Sequence, residues 1–232
     1  MQYQDAYELT SVSYTAHHVN LRITEQNEDI LSPYFLNWYS KIMRAVADIF
    51  FSLGLSVLFL ICLPFVWLFN QLFSPGPLFY RQNRVGKNGK VFTIIKFRSM
   101  EVDAEPDGIA RFTKENDERA TAVGSFLRKT RIDELPQIIN ILRGEMTLIG
   151  PRPERPEFVH IFIRRQPNYK LRSIVKPGIT GWGQVKYKYT GTIEEGLKKL
   201  DYDLYFIKNR NLIMDFEILC RTLITVISRS GT

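Results

Sequence analysis

The chain of 232 residues has room for one ordinary domain with appendages and little room for a second full domain. Its formal net charge of +7 favours an anionic partner, such as a nucleic acid, an acidic membrane surface or a phosphorylated substrate. The two cysteines, Cys62 and Cys220, exclude a disulfide framework and indicate a reducing compartment. The three histidines are too scattered in sequence to predict a zinc site.

The first 40 residues are polar and are expected to form a tail. They contain five acids, one base and no apolar run, so no secretory signal is expected. The stretch VADIFFSLGLSVLFLICLPFVWLF, residues 46–69, follows with Asp48 as its only charge. As a continuous helix it would be about 36 Å long, enough to cross a hydrocarbon core of roughly 30 Å. The sequence therefore predicts a membrane-associated helix within residues 41–75.

Two topologies fit this apolar helix. It can span the bilayer, or it can break at Pro64 and leave by the face it entered, because proline removes a backbone donor and clashes with the preceding turn. Lys41 and Arg44, upstream, resist transfer across the membrane. The basic residues downstream favour the cytoplasmic side, namely Arg81, Arg84, Lys87 and Lys90. The charge pattern therefore leaves both topologies open.

A β-hairpin is predicted by the segment VGKNGKVFTIIKF, in which Asn88-Gly89 is a turn signal between apolar runs. Alternation along its second strand places Lys96 and Arg98 on one face, together with Phe92 and Ile94. The two basic side chains therefore lie close together at the end of the strand. This placement is equally consistent with a solvated strand terminus and with an anion-binding site.

Two acids stand side by side after an acidic loop. Residues 101–120 contain seven acids and three bases and predict a surface loop. Helices are predicted through AVGSFLRKT and LPQIINILRG, and Pro136 suits the first turn of the second. Asp133 and Glu134 would then lie at its N-terminal end, where the helix dipole favours negative charge. Acids at that position are ordinary caps, so a structural role competes with a catalytic one.

The segment PRPERPEF carries two arginines in a proline-rich context. A polyproline II conformation places Arg152 and Arg155 on one side, which suits a diphosphate. The alternative is an ion pair with Glu154 or Glu157. Further on, KPGITGWGQV predicts a glycine-rich loop around Trp182 in which a backbone and a ring can approach a ligand closely.

The last third of the chain predicts two helices, TIEEGLKKLDYDLYFIKNRN and LIMDFEILCRTLITVISRS. The second is apolar nearly all round, so it packs in a core or lies partly in a membrane interface. The expected fold is α/β, mostly helical with a small β-hairpin or sheet. A single catalytic domain, residues 76–232, would sit on the membrane helix.

Several motifs occur together in an order that resembles one family. They are SPGPLFYRQNRVG, IIKFRSM, RFTKENDERA, LRKTRIDELPQIINILRGEMTLIGPRPERPEF, KPGITGWGQV and YDLYFIKN. From about residue 41 to its end the chain resembles the bacterial sugar transferases known as monotopic phosphoglycosyl transferases.

The resemblance implies transfer of a sugar 1-phosphate from a UDP-sugar to undecaprenyl phosphate with release of UMP. This reaction would be the first membrane step of exopolysaccharide, capsule or O-antigen assembly. In the family the Asp of the Asp-Glu pair is the nucleophile and the Glu helps to hold Mg²⁺. Here these residues are Asp133 and Glu134. A carboxylate that attacks phosphorus and leaves again splits one transfer into two steps.

Other family positions map onto this chain residue by residue. Lys96, Arg128 and Arg152 match basic residues of the family's active site. Further candidates for substrate binding are Arg98, Arg131, Arg155, Gly181, Trp182 and Gln184. The family's membrane helix is re-entrant and broken at a Ser-Pro pair. Here Pro64 matches the proline, but Leu63 stands where the serine would be.

The partners implied are undecaprenyl phosphate, a UDP-sugar and membrane lipid at the cytoplasmic face of a bacterial inner membrane, with a homodimer left open. No nucleic acid is expected, because the basic residues lie among prolines and glycines rather than along a recognition helix. Two rival hypotheses remain at this level. One is a non-enzymatic membrane-anchored module that binds anionic lipid or nucleic acid, and the other is a related enzyme with a soluble acceptor.

Overall fold

The computed structural model describes residues 31–114, 117–187 and 191–228. Residues 1–30 of the expected tail, with His17 and His18, lie outside the described residues. The helices are α1 (Pro33–Leu36), α2 (Trp38–Phe73), α3 (Ala122–Lys129), α4 (Ile138–Leu142), α5 (Pro156–Arg165), α6 (Trp182–Lys186), α7 (Ile193–Asn209) and α8 (Leu212–Ile227). The strands are β1 (Phe79–Val85), β2 (Val91–Phe97), β3 (Thr147–Ile149) and β4 (Gly178–Thr180). The expected class, mostly helical with a small hairpin, is confirmed.

Strands β1 and β2 form the predicted antiparallel hairpin. Phe79 pairs with Phe97 at its open end, and Val85 with Val91 beside the turn. Asn88 takes the left-handed conformation, with φ 54°, as an Asn-Gly turn requires. The strand end that carries Lys96 is therefore fixed by ladder bonds rather than left in a loop.

Strands β3 and β4 form a parallel pair that the sequence did not predict. Thr147 pairs with Gly178, and Ile149 pairs with Thr180. The close approach requires glycine, because a Cβ on Gly178 would lie 2.1 Å from the backbone nitrogen of Gly150. Part of the glycine-rich segment is thus a strand, and its Gly178 amide donates to Pro151 O at 3.0 Å, which holds it against the start of the PRPERPEF segment.

Helix α2 packs one face against the rest of the chain along most of its length. The side chains on this face recur every three or four residues and are buried or half-buried: Asp48, Ser52, Leu55, Phe59, Leu63, Val66 and Asn70. The opposite face is apolar and exposed, and by length and composition this helix could cross a membrane.

The break predicted at Pro64 is wrong for this backbone, because α2 continues through Pro64 and its buried face stays in phase on both sides. Pro64 lies on the exposed face of α2.

The expected tail is also shorter than predicted, because residues 31–40 are folded. The Ser32 amide donates to Ile207 O at 3.0 Å, and its hydroxyl donates to Arg210 O at 3.1 Å. The rings of Phe35 and Phe206 meet edge to face, with centroids 6.0 Å apart. These contacts bind α1 to the end of α7, a long-range pairing that local sequence does not reveal.

Helix α7 joins the two larger core clusters. Thr192 and Glu195 form a capping box at its start, which satisfies amides that the first turn leaves open. Leu200 packs with the α5 residues of one cluster, and Phe206 and Ile207 pack in the other. Because α7 packs in both clusters, it is held in place from two sides, and it forms one wall of the site described next.

Helix α8 buries one face and exposes the other. Met214 and Ile218 pack in the core. The exposed face carries Leu212, Ile213, Phe216, Leu223, Ile224 and Ile227. The helix thus combines the two predicted placements, core packing and a free apolar face.

Candidate active site

A cavity of about 500 Å³ opens where the hairpin end, the acidic loop, the Asp-Glu turn and the PRPERPEF segment meet. Among the residues that line it are nine predicted from sequence, namely Lys96, Arg98, Arg128, Arg131, Asp133, Glu134, Arg152, Arg155 and Gln184. Segments that are up to about 90 residues apart in sequence therefore contribute to one site.

The acid pair lies in a 3₁₀ turn, Ile132–Gln137, rather than at the start of the predicted α-helix. Arg131 precedes the turn in the left-handed conformation, with φ 59°. Successive residues of a 3₁₀ turn point about 120° apart, so the two carboxylates diverge. Both are buried, at 7% exposure each. Only α4, a short helix, follows them, so a cap of a long helix is not their role.

Glu134 is held by cations. Its Oε1 accepts from Lys96 Nζ at 2.8 Å and from Arg152 Nη2 at 2.9 Å, and Arg131 Nη1 lies 3.9 Å away. Burial alone would raise the pKa of Glu134, but the charges of Arg152, Lys96 and Arg131 outweigh burial and hold it well below the usual range. Glu134 is therefore a fixed anion at neutral pH.

Asp133 has the opposite environment. Its Oδ1 is buried and has no hydrogen-bond partner in the described part of the chain. Burial, followed by the negative charge of Glu134, raises the pKa of Asp133 to about 6, against the charges of Lys96, Arg131 and Arg128. Adjacent carboxylates whose environments push their pKa values apart are typical of sites with divided chemical roles.

Arg98 lines the cavity edge, but most of its hydrogen-bond donors are already bonded within the protein. Its Nε donates to Pro77 O at 2.7 Å, and its Nη2 donates to Asn70 Oδ1 at 2.8 Å and to the Ser74 carbonyl. It ties the C-terminal end of α2 to the end of β2. Arg98 thus has a structural role, and the substrate-binding role predicted for it stays a prediction.

Arg155 is paired with acids of the loop and of α5. Its Nη1 lies 2.9 Å from Glu105 Oε2, and its Nη2 lies 3.4 Å from Glu157 Oε1. The ion-pair alternative is realised at Glu157, with Glu105 as a second partner that sequence reasoning missed. Arg152 and Arg155 do line one cavity, as the polyproline II argument predicted, but Arg152 contacts the acid pair and Arg155 does not.

Gly181 and Trp182 do not line the cavity. Trp182 stacks on Tyr205, with ring centroids 6.2 Å apart, and the Lys186 ammonium lies 4.3 Å from its ring centroid. Trp182 thus packs α6 against α7, and the pocket-shaping role predicted for it stays a prediction. Gln184 does reach the cavity, and its Nε2 is fixed by Ile179 O at 2.9 Å.

Sequence reasoning missed several charged residues of the cavity wall. Among them are Arg84, Glu105, Arg119, Glu154 and Lys199. Lys199 carried a detectable signal, because on a helix wheel it falls beside Gly196, Leu200 and Asp203 on the face of α7 that packs inward. A lysine on such a face needs a partner or a ligand.

The acid pair could bind a hard divalent cation if a substrate supplied further oxygen ligands. The described residues hold no group of three or more His, Cys, Asp or Glu side chains that could by itself hold a metal ion. Glu134 Oε2 and Asp133 Oδ1 have no hydrogen-bond partner among them. Mg²⁺ commonly binds through one or two carboxylates while substrate phosphates and waters complete its shell, so this donor set suits it.

Residues 39–229 match the family model described as bacterial sugar transferase, and the chain belongs to this family. It is 47% identical over 161 residues to UDP-N-acetylgalactosamine-undecaprenyl-phosphate N-acetylgalactosaminephosphotransferase of Aeromonas hydrophila, covering 69% of this chain and 38% of that protein. It is 36% identical over 214 residues to UDP-glucose:undecaprenyl-phosphate glucose-1-phosphate transferase of Escherichia coli (strain K12), covering 90% and 46%.

A third relative is the exopolysaccharide production protein PSS of Rhizobium leguminosarum bv. phaseoli. It is 35% identical over 195 residues, which cover 81% of this chain and 96% of that protein. The family membership confirms the resemblance drawn from the motifs. The chain spans less than half the length of the Aeromonas and Escherichia relatives.

Proposed function

We propose that the protein transfers a sugar 1-phosphate from a UDP-sugar to undecaprenyl phosphate, through a covalent phosphosugar intermediate on Asp133. The observation that carries the proposal is the buried, unpaired Asp133 Oδ1 beside Glu134, which cations hold ionised, in a cavity rich in arginine and lysine. The curated names of the Aeromonas and Escherichia relatives support the same donor and acceptor classes.

The first step is attack of the Asp133 carboxylate on the phosphorus that bears the sugar. An oxygen–phosphorus bond forms to Asp133, the bond from that phosphorus to the bridging oxygen breaks, and UMP leaves. In the second step a phosphate oxygen of undecaprenyl phosphate attacks the same phosphorus. The acyl phosphate bond then breaks, Asp133 regains its carboxylate, and undecaprenyl-diphosphate-sugar is released.

The basic residues offset the repulsion between an anionic nucleophile and a diphosphate. Arg128 and Arg131 contribute positive charge at Asp133, and Lys96 does so while it also fixes Glu134. Arg152 holds Glu134 from the other side. Preorganised charges of this kind act strongly in a site with little water. Mg²⁺, held by Glu134 and the donor phosphates, would neutralise part of the diphosphate charge.

The membrane arrangement follows from the two ends of the apolar helix. Asp48 accepts from Leu148 N at 2.8 Å, and Asn70 accepts from Arg98 at 2.8 Å, so the same domain holds both ends. A helix that crossed the bilayer would have to release one of these contacts. We infer that α2 enters lipid from one side, with its exposed face and that of α8 in contact with lipid.

The cavity would face the cytoplasm of a bacterial cell at the inner membrane. Arg81 and Arg84 of β1 line the cavity, and basic residues are enriched on cytoplasmic sides. Reduced cysteines fit that compartment.

The test is release of UMP in the presence of undecaprenyl phosphate across a panel that includes UDP-glucose and UDP-N-acetylgalactosamine. We expect release from at least one donor by the wild-type protein and none above background by Asp133→Asn. If undecaprenyl phosphate is not required, an enzyme with another acceptor is the better account. If no donor is turned over while salt-sensitive binding to anionic vesicles persists, the non-enzymatic module replaces the proposal.

A further inference from the structure

A buried lysine on α7 faces the cavity without a hydrogen-bond or ion-pair partner in the described part of the chain. Lys199 is 6% exposed and lines the cavity wall. Among the described residues its ammonium forms no hydrogen bond and no ion pair. The carboxylate of Asp203, one turn further along α7, is engaged by Arg172, whose Nη2 lies 2.7 Å from Oδ2.

This position is unfavourable for a lysine unless an anion binds there. Burying most of a lysine side chain without an anionic partner disfavours its charged form. Other cations of the cavity wall are paired: Lys96 and Arg152 with Glu134, and Arg155 with Glu105. Burial lowers the pKa of Lys199, and the charges of Glu154 and Asp203 oppose that effect. An arriving anion would supply the missing partner.

The neighbouring helix is shaped around this side chain. A Cβ on Gly183 would lie 2.7 Å from Asp203 Oδ1 and 3.1 Å from Lys199 Cγ. A side chain at position 183 would have to displace Asp203 and press on Lys199. The second glycine of the GWG segment thus leaves room for these two side chains of α7.

The surroundings of Lys199 distinguish between the two phosphates of the donor. Lys199 lines the same cavity as the acid pair, but among the described residues it forms no hydrogen bond or ion pair with Asp133 or Glu134. Asp133 is surrounded instead by Lys96, Arg131 and Arg128. The phosphorus that is attacked must lie at Asp133, so a lysine of the same cavity that does not contact the acid pair is placed for the other phosphate.

We propose that Lys199 binds the phosphate of the departing nucleotide, the group that becomes UMP. This inference rests on the proposed function and extends it to a residue outside the catalytic turn. When the bridging bond breaks, negative charge grows on the nucleotide phosphate. A charge-assisted hydrogen bond from Lys199 stabilises that charge, and it also retains UMP after the step.

The test compares UMP with uridine, which lacks the phosphate. Affinities of both are measured by calorimetry on the full chain in lipid nanodiscs, for the wild type, Lys199→Met and Lys198→Met. Lys198 is the matched control, because it is the adjacent lysine of α7 and is exposed. We expect Lys199→Met to bind UMP about tenfold more weakly or worse and to bind uridine unchanged. Lys198→Met should match the wild type for both.

A thermal melt separates a ligand role from a structural one. Removing an unpaired buried charge should leave the melting temperature of Lys199→Met unchanged or raise it. The inference is overturned if Lys199→Met binds UMP as tightly as the wild type. Equal weakening of UMP and uridine with a lowered melting temperature would also overturn it, in favour of a structural ion pair. Absence of UMP binding by the wild type would overturn it as well.

These outcomes are distinct from failure of the proposed function. UMP release from UDP-sugars by a wild-type enzyme whose affinity for UMP does not depend on Lys199 would remove this inference alone. Lys199-dependent binding of UMP by a protein that turns over no UDP-sugar would remove the proposed reaction and leave a nucleotide phosphate site.

Discussion

Asp133 and Glu134 are adjacent in the chain, yet only one of them is bonded to the cations around them. Glu134 Oε1 accepts from Lys96 at 2.8 Å and from Arg152 at 2.9 Å, whereas Asp133 Oδ1 is buried without a partner in the described residues. The Asp133 oxygen that accepts no hydrogen bond from the described residues is free to form a bond to phosphorus. Glu134, through its hydrogen bonds, keeps Lys96 and Arg152 in place.

Replacing Asp133 by Asn should stabilise the metal-free protein at neutral pH. The pKa of Asp133 is raised to about 6 in the fold, above its ordinary value of 3.8, so its ionisation destabilises the fold as pH rises through that range. We expect Asp133→Asn to melt a few degrees higher than the wild type at pH 7.5 in EDTA. The difference should shrink towards pH 4, where the wild-type carboxyl is also neutral.

Thermal melts of both proteins in detergent at the two pH values check this expectation. Glu134→Gln serves as the comparison, because the low pKa of Glu134 predicts the opposite effect at neutral pH, a loss of stability. If Asp133→Asn were less stable than the wild type at pH 7.5, Asp133 would not be the carboxylate whose ionisation destabilises the fold.

Loss of Lys96 should reduce turnover far more than loss of another lysine of the hairpin. Lys96→Met removes one of the two donors that hold Glu134 and also one positive charge near Asp133. We expect turnover to fall by about 10²- to 10³-fold, the range for removal of one preorganised charge in an active site. Lys90, exposed beside the hairpin turn, is the control, and Lys90→Met should keep wild-type turnover.

Initial rates of UMP release measure this effect. A fall of less than fivefold for Lys96→Met, in a protein that melts at the wild-type temperature, would mean that Arg152 alone positions Glu134.

The only acid of the apolar helix should be a structural anchor. Asp48 Oδ1 accepts from Leu148 N at 2.8 Å and from the Thr147 hydroxyl at 2.9 Å, which fixes α2 to β3. Asp48→Ala leaves a buried amide without its acceptor and should cost about 1–3 kcal/mol of unfolding free energy. Asp103→Asn, in the exposed acidic loop, is expected to change stability by less than about 0.5 kcal/mol.

Denaturant unfolding in detergent compares the two variants with the wild type. If Asp48→Ala were as stable as Asp103→Asn, the contact between α2 and β3 would not hold the membrane helix to the domain.

Features set by short contiguous patterns were predictable from sequence. The Asn88-Gly89 turn fixed the hairpin, and the pattern of apolar residues located α3 and α7. The Asp-Glu pair and the basic residues around it converge on one cavity, as their motifs implied. In the hairpin and the helices, the residues that decide the structure are neighbours in the chain.

Features that depend on distant partners were not predictable. The Arg98 guanidinium donates hydrogen bonds to the end of α2, and Trp182 packs on Tyr205. Both contacts join elements that are far apart in sequence. The pair of β3 and β4 is only three residues long on each side, too short to leave an alternating pattern. Lys199 was overlooked because a lysine in an amphipathic helix usually lies on its solvated face.

The central claim is that the Asp133 carboxylate bonds to phosphorus during turnover. The direct measurement is the intact mass of the full chain after incubation with a UDP-sugar that it turns over and Mg²⁺, in the absence of lipid acceptor. We predict an added mass of one sugar phosphate that peptide mapping places on Asp133, that disappears when undecaprenyl phosphate is added, and that Asp133→Asn never shows. Turnover with no adduct on this residue under single-turnover conditions would contradict the account.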